Sequence, residues 1–278
     1  MLPLLVAVLL QTRFAAPDAG LATAALASPR PRECRAAANG EGGLWSRLRG
    51  ADAQRYCELL ARGYARLQET PREALSAAQA AQSVAGALPA VHVLSGRALM
   101  RLGQSGNAFE EFAKAEAQDT QAFVDPKALH DYAQAASLSG NSAAALRLYR
   151  LLVSRVSLLN DAREVAFVHI EAAAHVLASL PAGPAGADEA LGYLAQARRE
   201  ALGLSVWVDG LRLVALQRRG PAEANIARAA APSLAAQGAA LSEPSSASAS
   251  KVPLMPPGML EALRAAFTAP APRQAKAR

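Results

Sequence analysis

The chain has 278 residues, of which 52% are hydrophobic and only 5% are aromatic. Alanine and leucine supply most of the apolar side chains, whereas the runs of β-branched and aromatic residues that are typical of sheets hardly occur. The composition therefore argues against a β protein. It predicts an all-α fold with enough apolar surface for the core of one or two domains.

The net charge of +6 is concentrated near the C-terminus. From Lys251 onward the chain carries five basic residues and one acidic residue, so this segment accounts for +4 of the total. The preceding sequence is nearly balanced in charge, and it lacks the basic surface that attracts a polyanion. We therefore expect no nucleic acid as a partner.

The N-terminus has the pattern of an export signal. Residues 2–10 are apolar, and the following sequence is rich in small residues, with A-x-A spacing at residues 22–24 and 25–27. The pattern resembles a secretory signal peptide, which predicts that residues 1–27 are removed and that the protein is periplasmic or extracellular. No Lys or Arg precedes the apolar run, which is where signal peptides usually carry positive charge. The run is much shorter than the roughly 20 residues that span a bilayer.

Two cysteines, Cys34 and Cys57, occur in the chain. In an oxidising compartment, a disulfide between them would tie an N-terminal extension, residues 28–50, to the first repeat helix. The alternative is a pair of unpaired thiols, with Cys57 as a small core residue. Trp45 lies in this extension, where its ring is predicted to cover the exposed end of a helical stack.

A first helical hairpin is predicted after residue 50. Leu60 and Tyr64 lie one turn apart on its first helix. Its second helix is predicted to begin at Pro71, with Thr70 as the N-cap and Glu73 at the third helical position. These start signals divide the segment into two helices.

A second hairpin is predicted from two amphipathic segments, residues 91–102 and 107–117. Gly103 and Gly106 lie between them, where glycine can leave helical geometry at little cost. A third hairpin follows, with apolar residues at i, i+3, i+4 and i+7 from Leu129 to Ala136 and a turn at residues 139–141. The second helix of this third copy carries Tyr149 as a core residue.

Small residues recur at a nearly constant interval. Ala74 and Ala108 are 34 residues apart, Ala108 and Ala145 are 37 apart, and Ala190 and Ala224 are again 34 apart. A period near 34 residues is typical of helical hairpin repeats. The sequence therefore predicts an α-solenoid of about five antiparallel hairpins over residues 51–231.

The second hairpin resembles the tetratricopeptide repeat (TPR). The residues that match that family's pattern are Gly96, Leu99, Gly103, Ala108, Phe112 and Ala115. The chain departs from the pattern at His92, Ser95, Thr120 and Leu152, so it resembles a divergent or Sel1-like relative. The resemblance implies a superhelix whose concave face, lined mainly by the first helix of each hairpin, binds a protein or peptide.

By that resemblance, eight residues of the first helices are candidates for partner binding: Arg62, Arg66, Arg97, Met100, Arg101, Lys127, His130 and Gln134. Arg62 with Arg66, and Arg97 with Arg101, are spaced i, i+4, so each pair projects from one side of its helix. Their guanidinium groups would hold an acidic segment through paired hydrogen bonds. The alternative is a solvated face in which carboxylates such as Glu58 neutralise the arginines.

No catalytic or metal-binding motif is visible. The four histidines are His92, His130, His169 and His175, and their scatter does not form a ligand cluster. Glu171 and His175 share a helix face, and we interpret them as a surface or packed pair. The chain lacks G-x-S-x-G, H-E-x-x-H and a phosphate-binding glycine loop. We expect no enzymatic activity, metal, cofactor or small-molecule substrate; an enzyme using Glu171 and His175 is a third alternative.

The C-terminal region changes in composition. Residues 232–257 are rich in Ser, Ala, Pro and Gly, which predicts a flexible linker. Residues 258–278 are predicted to form a short amphipathic helix, from Met259 to Thr268, and a basic tail. The helix would dock on the last hairpin or on a partner, or would fray in water because it is short.

The sequence thus supports two functions. The first is an exported, non-catalytic scaffold that binds a protein or peptide partner, with an acidic segment in a basic concave groove as one form of this binding. The alternative is an envelope-associated structural module whose basic C-terminal tail contacts an anionic membrane surface.

Overall fold

The computed structural model describes residues 31–40, 48, 50–200, 204–220, 222–223, 225 and 252–268. The predicted signal peptide, Trp45 and the basic tail at residues 269–278 lie outside these ranges. In the described residues, the regular secondary structure is helical, without a strand, and includes a short 3₁₀-helix at Val156–Leu158. The α-helices are α1 (Arg32–Ala38), α2 (Ala51–Arg66), α3 (Pro71–Ala85), α4 (Pro89–Arg101), α5 (Ser105–Gln118), α6 (Pro126–Leu138), α7 (Ser142–Val153), α8 (Ala162–Ser179), α9 (Pro184–Glu200), α10 (Ser205–Arg219) and α11 (Met259–Thr268).

Consecutive helices pack against one another. Helices α2 and α3, α4 and α5, α6 and α7, and α8 and α9 form four hairpins, and each hairpin packs on the next. The first helices of neighbouring hairpins also touch, α2 with α4, α4 with α6, and α8 with α10. The predicted all-α, solenoid-like arrangement is confirmed. Helix α10 begins the predicted fifth hairpin, and most of its expected partner, residues 222–231, lies outside the described ranges.

The turns inside the second and third hairpins are built alike. After α4, the N–H groups of Gly103 and Gln104 donate to carbonyls of the last helical turn, and after α6 Gly140 and Asn141 do the same, with N···O distances of 2.8–3.1 Å. This bonding closes the C-terminus of each helix and requires a left-handed residue. The φ angles of 74° at Gly103 and 79° at Gly140 meet that requirement, which explains the glycine in each turn.

Two glycines permit close helix contacts. A Cβ atom at Gly96 of α4 would lie 2.6 Å from Cε1 of Phe112 on α5. A Cβ atom at Gly63 of α2 would lie 2.5 Å from Cδ2 of Leu94 on α4. Both distances are inside van der Waals contact, so a side chain at either position would require the neighbouring side chain to move.

The predicted start of α3 is confirmed, but the side chain of Thr70 does not cap it. Helix α3 begins at Pro71, and Oγ1 of Thr70 is buried without a hydrogen-bond partner. The first turn is closed by the backbone instead, since the N–H of Glu73 donates to the carbonyl of Thr70 at 2.9 Å.

The N-terminal helix α1 is joined to α2 by a disulfide between Cys34 and Cys57, whose Cα atoms are 5.8 Å apart. The sequence separation is 23 residues, and closing a loop of that size stabilises a fold by about 3 kcal/mol in the chain-entropy model. Arg32 of α1 also donates to Oε1 of Gln121 at 2.7 Å. The extension is therefore tied to the body of the stack at two places.

Helix α11 docks on α10. Met259, Leu263 and Ala266 are each at most 2% exposed. A Cβ atom at Gly210 of α10 would lie 2.9 Å from Cδ2 of Leu263 and 2.7 Å from Cζ of Phe267, so α11 fits against a surface that glycine leaves open. Of the alternatives for this amphipathic helix, the structure shows docking on the last described repeat helix.

Residues 252–258 lead into α11 without regular secondary structure, and Pro253 and Pro256 among them are buried. The sequence assigns residues 252–257 to the flexible linker, but residues 253–256 are buried or partly buried here. The rest of that linker, residues 232–251, lies outside the described ranges. We call residues 252–268 the C-terminal strap, and the surface formed by α2, α4, α6, α8 and α10 the first-helix face.

None of the helices in the described ranges combines the length and the apolar character that crossing a membrane requires.

Candidate functional site

Arg97 of α4 is buried against α6 and is 8% exposed. Its Nε donates to Oδ2 of Asp131 at 2.7 Å, and its Nη1 donates to Oδ2 of Asp125 at 3.2 Å. Arg101 lies 3.3 Å from the other oxygen of Asp131. Burial is the largest single influence and lowers the pKa of the Arg97 guanidinium, but Asp131, Tyr64 and Asp125 together outweigh it, so the pKa is raised. The carboxylates that these arginines contact therefore belong to the chain itself.

Two other predicted cations are also paired within the chain. Nε of Arg66 lies 3.6 Å from Oε2 of Glu73, and Nζ of Lys127 lies 3.5 Å from Oε1 of Glu164. Both pairs are partly exposed to water, where such contacts contribute little stability.

Arg62 is exposed and borders a shallow depression that Arg55 and Glu58 also line. Met100 is half-buried and packs against the core between the second and third hairpins. These two residues therefore have different surroundings, and the contacts of the eight candidates do not join them into one basic groove.

The two remaining candidates, His130 and Gln134 of α6, converge on Glu171 of α8. Nε2 of His130 lies 2.6 Å from Oε2 of Glu171, and Nε2 of Gln134 donates to Oε1 at 3.4 Å. The hydroxyl of Tyr149 on α7 donates to Oε2 at 3.0 Å. Three helices therefore surround a carboxylate that is 1% exposed.

Burying a carboxylate is costly unless donors replace the lost water. Burial is the largest single influence and lowers the pKa of His130, but the charge and hydrogen bond of Glu171, with Asp131 and Glu164, together outweigh it, so the pKa is raised. Burial and Glu171 together raise the pKa of Tyr149 well above its ordinary value, so the phenol keeps its proton and remains a donor. The surrounding groups hold Glu171 as a fixed hydrogen-bond acceptor.

A further donor to Glu171 comes from the C-terminal strap. The backbone N–H of Leu254 donates to Oε1 at 2.8 Å, across 83 residues of sequence. Pro253 and Pro256 are buried on either side of this contact, and Met255 packs against the core that α8 and α10 share. The first-helix face therefore holds an uncharged segment without regular secondary structure through a main-chain hydrogen bond and apolar contacts.

His175, one turn after Glu171, makes no hydrogen bond with it. The ring stacks on Tyr149 with centroids 4.7 Å apart, and both ring nitrogens are buried without a partner. Burial lowers the pKa of His175 to about 4, in spite of the nearby Glu171 carboxylate. The imidazole is therefore packed in its neutral form.

A second depression lies between α7, α8 and α9 and is lined in part by His169, Glu189 and Tyr193. Arg150 donates two hydrogen bonds to Glu189 at 2.8 and 2.7 Å, and Tyr193 donates a third at 3.0 Å. The Glu189 carboxylate therefore already has hydrogen-bond donors from neighbouring side chains of the chain. Across the described part of the chain, no group of three or more His, Cys, Asp or Glu side chains is arranged to hold a metal ion.

Comparisons with known proteins returned no match: no protein-family model, no curated protein and no solved structure is significantly similar to this chain. The candidate site is therefore interpreted from its own geometry.

Sequence reasoning did not predict Glu171 as a binding residue, and it missed two further members of this site. Tyr149 is predicted only as a core residue, and Leu254 falls in the predicted linker. A signal was available for the second, because Pro253-Leu254-Met255-Pro256 is a short apolar run inside a segment otherwise rich in Ser and Ala. Its apolar character distinguishes it from a solvated linker.

Proposed function

We propose that this protein is a non-catalytic, TPR-like scaffold that binds an extended segment of a partner protein on its first-helix face. The observation that carries the proposal is the hydrogen bond from the Leu254 N–H to buried Glu171 at 2.8 Å. This face already accommodates a stretch of chain without regular secondary structure.

The geometry suits peptide binding because the acceptor is fixed in advance. His130, Gln134 and Tyr149 hold the Glu171 carboxylate from neighbouring helices. A hydrogen bond to a charged group contributes about 1.5–3 kcal/mol, and a rigid scaffold loses little entropy when it binds. In peptide recognition of this kind, main-chain hydrogen bonds provide affinity for an extended segment, and contacts with the side chains provide specificity.

The partner segment that we propose is uncharged, which differs from the acidic segment expected from sequence. Arg97 and Arg101 have Asp125 and Asp131 as their partners. By contrast, residues 252–258 carry no charge and lie on the face beside Glu171. The contacts in the structure therefore favour an apolar, proline-containing ligand.

Two features support the finer parts of the proposal. The contact of Gly96 with Phe112, together with the matching glycine turns, supports a TPR-like repeat. The disulfide between Cys34 and Cys57 and the apolar residues 2–10 support export to an oxidising compartment.

The test is a selection of short displayed peptides on the full-length chain carrying Met259→Glu and Leu263→Glu. These substitutions charge the buried side of α11, so they weaken the strap and leave α6, α8 and α10 unchanged. The matched control carries Glu171→Gln in addition. We expect enriched peptides that are apolar and contain proline, and that bind roughly tenfold or more weakly to the control because the charged acceptor is lost. A selection whose products all bind both proteins equally would contradict the proposal.

A further inference from the structure

The C-terminal strap lies where a partner segment would lie. We propose that the strap is a resident, exchangeable ligand of the first-helix face, and that a partner segment with the same pattern displaces it. The pattern is an uncharged extended stretch with buried prolines on both sides of a Leu-Met pair, followed by a short amphipathic helix. This inference rests on the proposed function and adds to it the class of ligand and a built-in competitor.

The strap is held at two anchor points on different repeats. On α8, Glu171 accepts the N–H of Leu254. On α10, Gly210 leaves the space that Leu263 and Phe267 occupy, with distances of 2.9 and 2.7 Å from the position of a Cβ atom. A ligand must therefore supply a free backbone N–H and, nine residues later, an apolar helical side chain. Each requirement alone is common, and their combination at this spacing provides the selectivity.

The first anchor explains the prolines. A proline at the position of Leu254 would lack the N–H that Glu171 accepts. Prolines at positions 253 and 256 keep the flanking backbone extended and reduce the entropy lost on binding. The structure buries both of them. The Pro-Leu-Met-Pro order thus places the one donor between two residues that stiffen the segment.

The strap has the properties of a ligand that can leave. Helix α11 has ten residues, which is shorter than the roughly 12–15 that an isolated helix needs, so its folding depends on docking. The ordering that accompanies docking reduces the net affinity of the strap. Leu260 is 39% exposed on the outer side of α11, so the strap is a surface layer that covers the repeat core.

Attachment in the same chain compensates for this weak affinity. Residues 226–251 connect the described part of α10's hairpin to the strap and are rich in Ala, Ser and Pro. Connections of this composition give a tethered ligand an effective concentration on the order of millimolar. A free partner segment must compete with that concentration, so it binds well only when its own affinity is higher or when the strap is released.

The experiment uses a fluorescent synthetic peptide with the sequence of residues 251–268 and three full-length proteins. These are the wild type, the strap variant Met259→Glu with Leu263→Glu, and the control Leu260→Glu, which adds a charge on the exposed side of α11. A second peptide carries an N-methyl group on the Leu254 nitrogen, which removes the donor and keeps the side chain.

We expect the peptide to bind the strap variant at least roughly tenfold more tightly than the wild type or Leu260→Glu, because those two retain the tethered competitor. The N-methyl peptide should bind the strap variant roughly ten- to a hundredfold more weakly than the unmodified peptide. Equal binding of the unmodified peptide to all three proteins would overturn the competition. If that binding still depended on Glu171, the proposed function would stand without the inference.

A second measurement needs no variant and holds even if the charged strap unfolds the protein. Amide hydrogen exchange of residues 253–268 in the wild type is followed by mass spectrometry as unlabelled peptide is added. Exchange that accelerates with peptide concentration supports displacement. Protection that stays constant up to millimolar peptide would show a permanent part of the fold and would overturn the inference. The proposed function fails separately, when the peptide selection yields no sequence that depends on Glu171.

Discussion

The first-helix face buries a charged group in two places, and the two places obtain their partners differently. Between α4 and α6, Arg97 is paired with Asp131, which lies 34 residues away, one repeat period further along the chain. Between α6 and α8, Glu171 is paired with His130, and it also accepts the N–H of Leu254 from the strap. The first charge is satisfied by the repeats, and the second is satisfied in part by a segment outside them.

Under the proposed function, this difference separates positions that stabilise the stack from positions that bind a partner segment. In the α4–α6 pair, the shortest hydrogen bonds of Arg97 go to carboxylates of the repeats themselves. An acceptor that is oriented by the repeats and still accepts a donor from elsewhere is available to whichever segment lies there. We therefore assign the α4–α6 part of the face to stability and the α6–α10 part to recognition.

We expect the largest effect from a substitution of Arg97. Arg97→Met leaves Asp131, which is 5% exposed, without its closest partner, so we expect a loss of about 3–5 kcal/mol in the free energy of unfolding. Urea denaturation measures this loss. The double variant Arg97→Met with Asp131→Leu should recover most of it, because no buried charge remains unpaired. A loss below about 1 kcal/mol in the single variant would mean that the Arg97–Asp131 pair behaves like an exposed ion pair and does not stabilise this part of the face.

The recognition part should show a specific response to acid. The pKa of His175 in the folded protein is about 4, below the ordinary value of 6.5, so the unfolded chain takes up the proton first as the pH falls. Stability should therefore decrease as the pH falls from about 6.5 to about 4, by up to about 3 kcal/mol. Urea denaturation across this range measures the decrease.

His175→Phe is the control, since it keeps a ring beside Tyr149 and removes the titrating group. In this variant, the loss of unfolding free energy between pH 6.5 and about pH 4 should be smaller by up to about 3 kcal/mol. His130 acts with the opposite sign, because its raised pKa gives stability that is present at low pH and lost as the pH rises. An unchanged acid profile in His175→Phe would show that the histidine is not held in its neutral form.

Helix packing beside the α4–α6 part of the face can be tested by substituting Gly96. Gly96→Ala places a Cβ atom 2.6 Å from the ring of Phe112, and we expect overpacking to cost about 1–3 kcal/mol in thermal or urea unfolding. Gly192→Ala in α9 is the matched control, because a Cβ atom there meets nothing within 4 Å. That substitution should stabilise the helix by about 0.5–1 kcal/mol. Equal effects at both positions would show that Gly96 is not needed for close approach.

The smallest effect is expected at Lys127, on the border between the two parts. Its Nζ lies 3.5 Å from Glu164 in a pair that is partly open to water, so Lys127→Ala should change stability by less than about 0.5 kcal/mol. Peptide binding to the strap variant should also be unchanged. Loss of binding in Lys127→Ala would restore a role for basic residues in recognition and would move the boundary that we draw.

Local patterns made much of the fold predictable. The turns at Gly103 and Gly140 follow from the left-handed geometry that each helix end requires, and the period near 34 residues follows from the length of one hairpin. The spacing of Arg97 and Arg101 correctly predicts that they share one side of α4. It could not show that Asp131, on the next first helix, lies opposite both, because that depends on how the two helices are offset.

The candidate site was harder to predict because its members are far apart in sequence. His130 and Gln134 are predicted site residues, and the structure places both at Glu171. Leu254 contributes a backbone group rather than a side chain, so its residue type gives no indication of the contact. The low-complexity sequence around it also has the composition of a solvated linker.

The sequence by itself determined the stack of helical hairpins, because helix periodicity and turn geometry depend on residues a few positions apart. Only the tertiary structure decided which charges are neutralised within the repeats and which accept an outside segment. Those choices depend on contacts across 34 and 83 residues, where the offset of packed helices sets the distances and burial sets the strength of each charge.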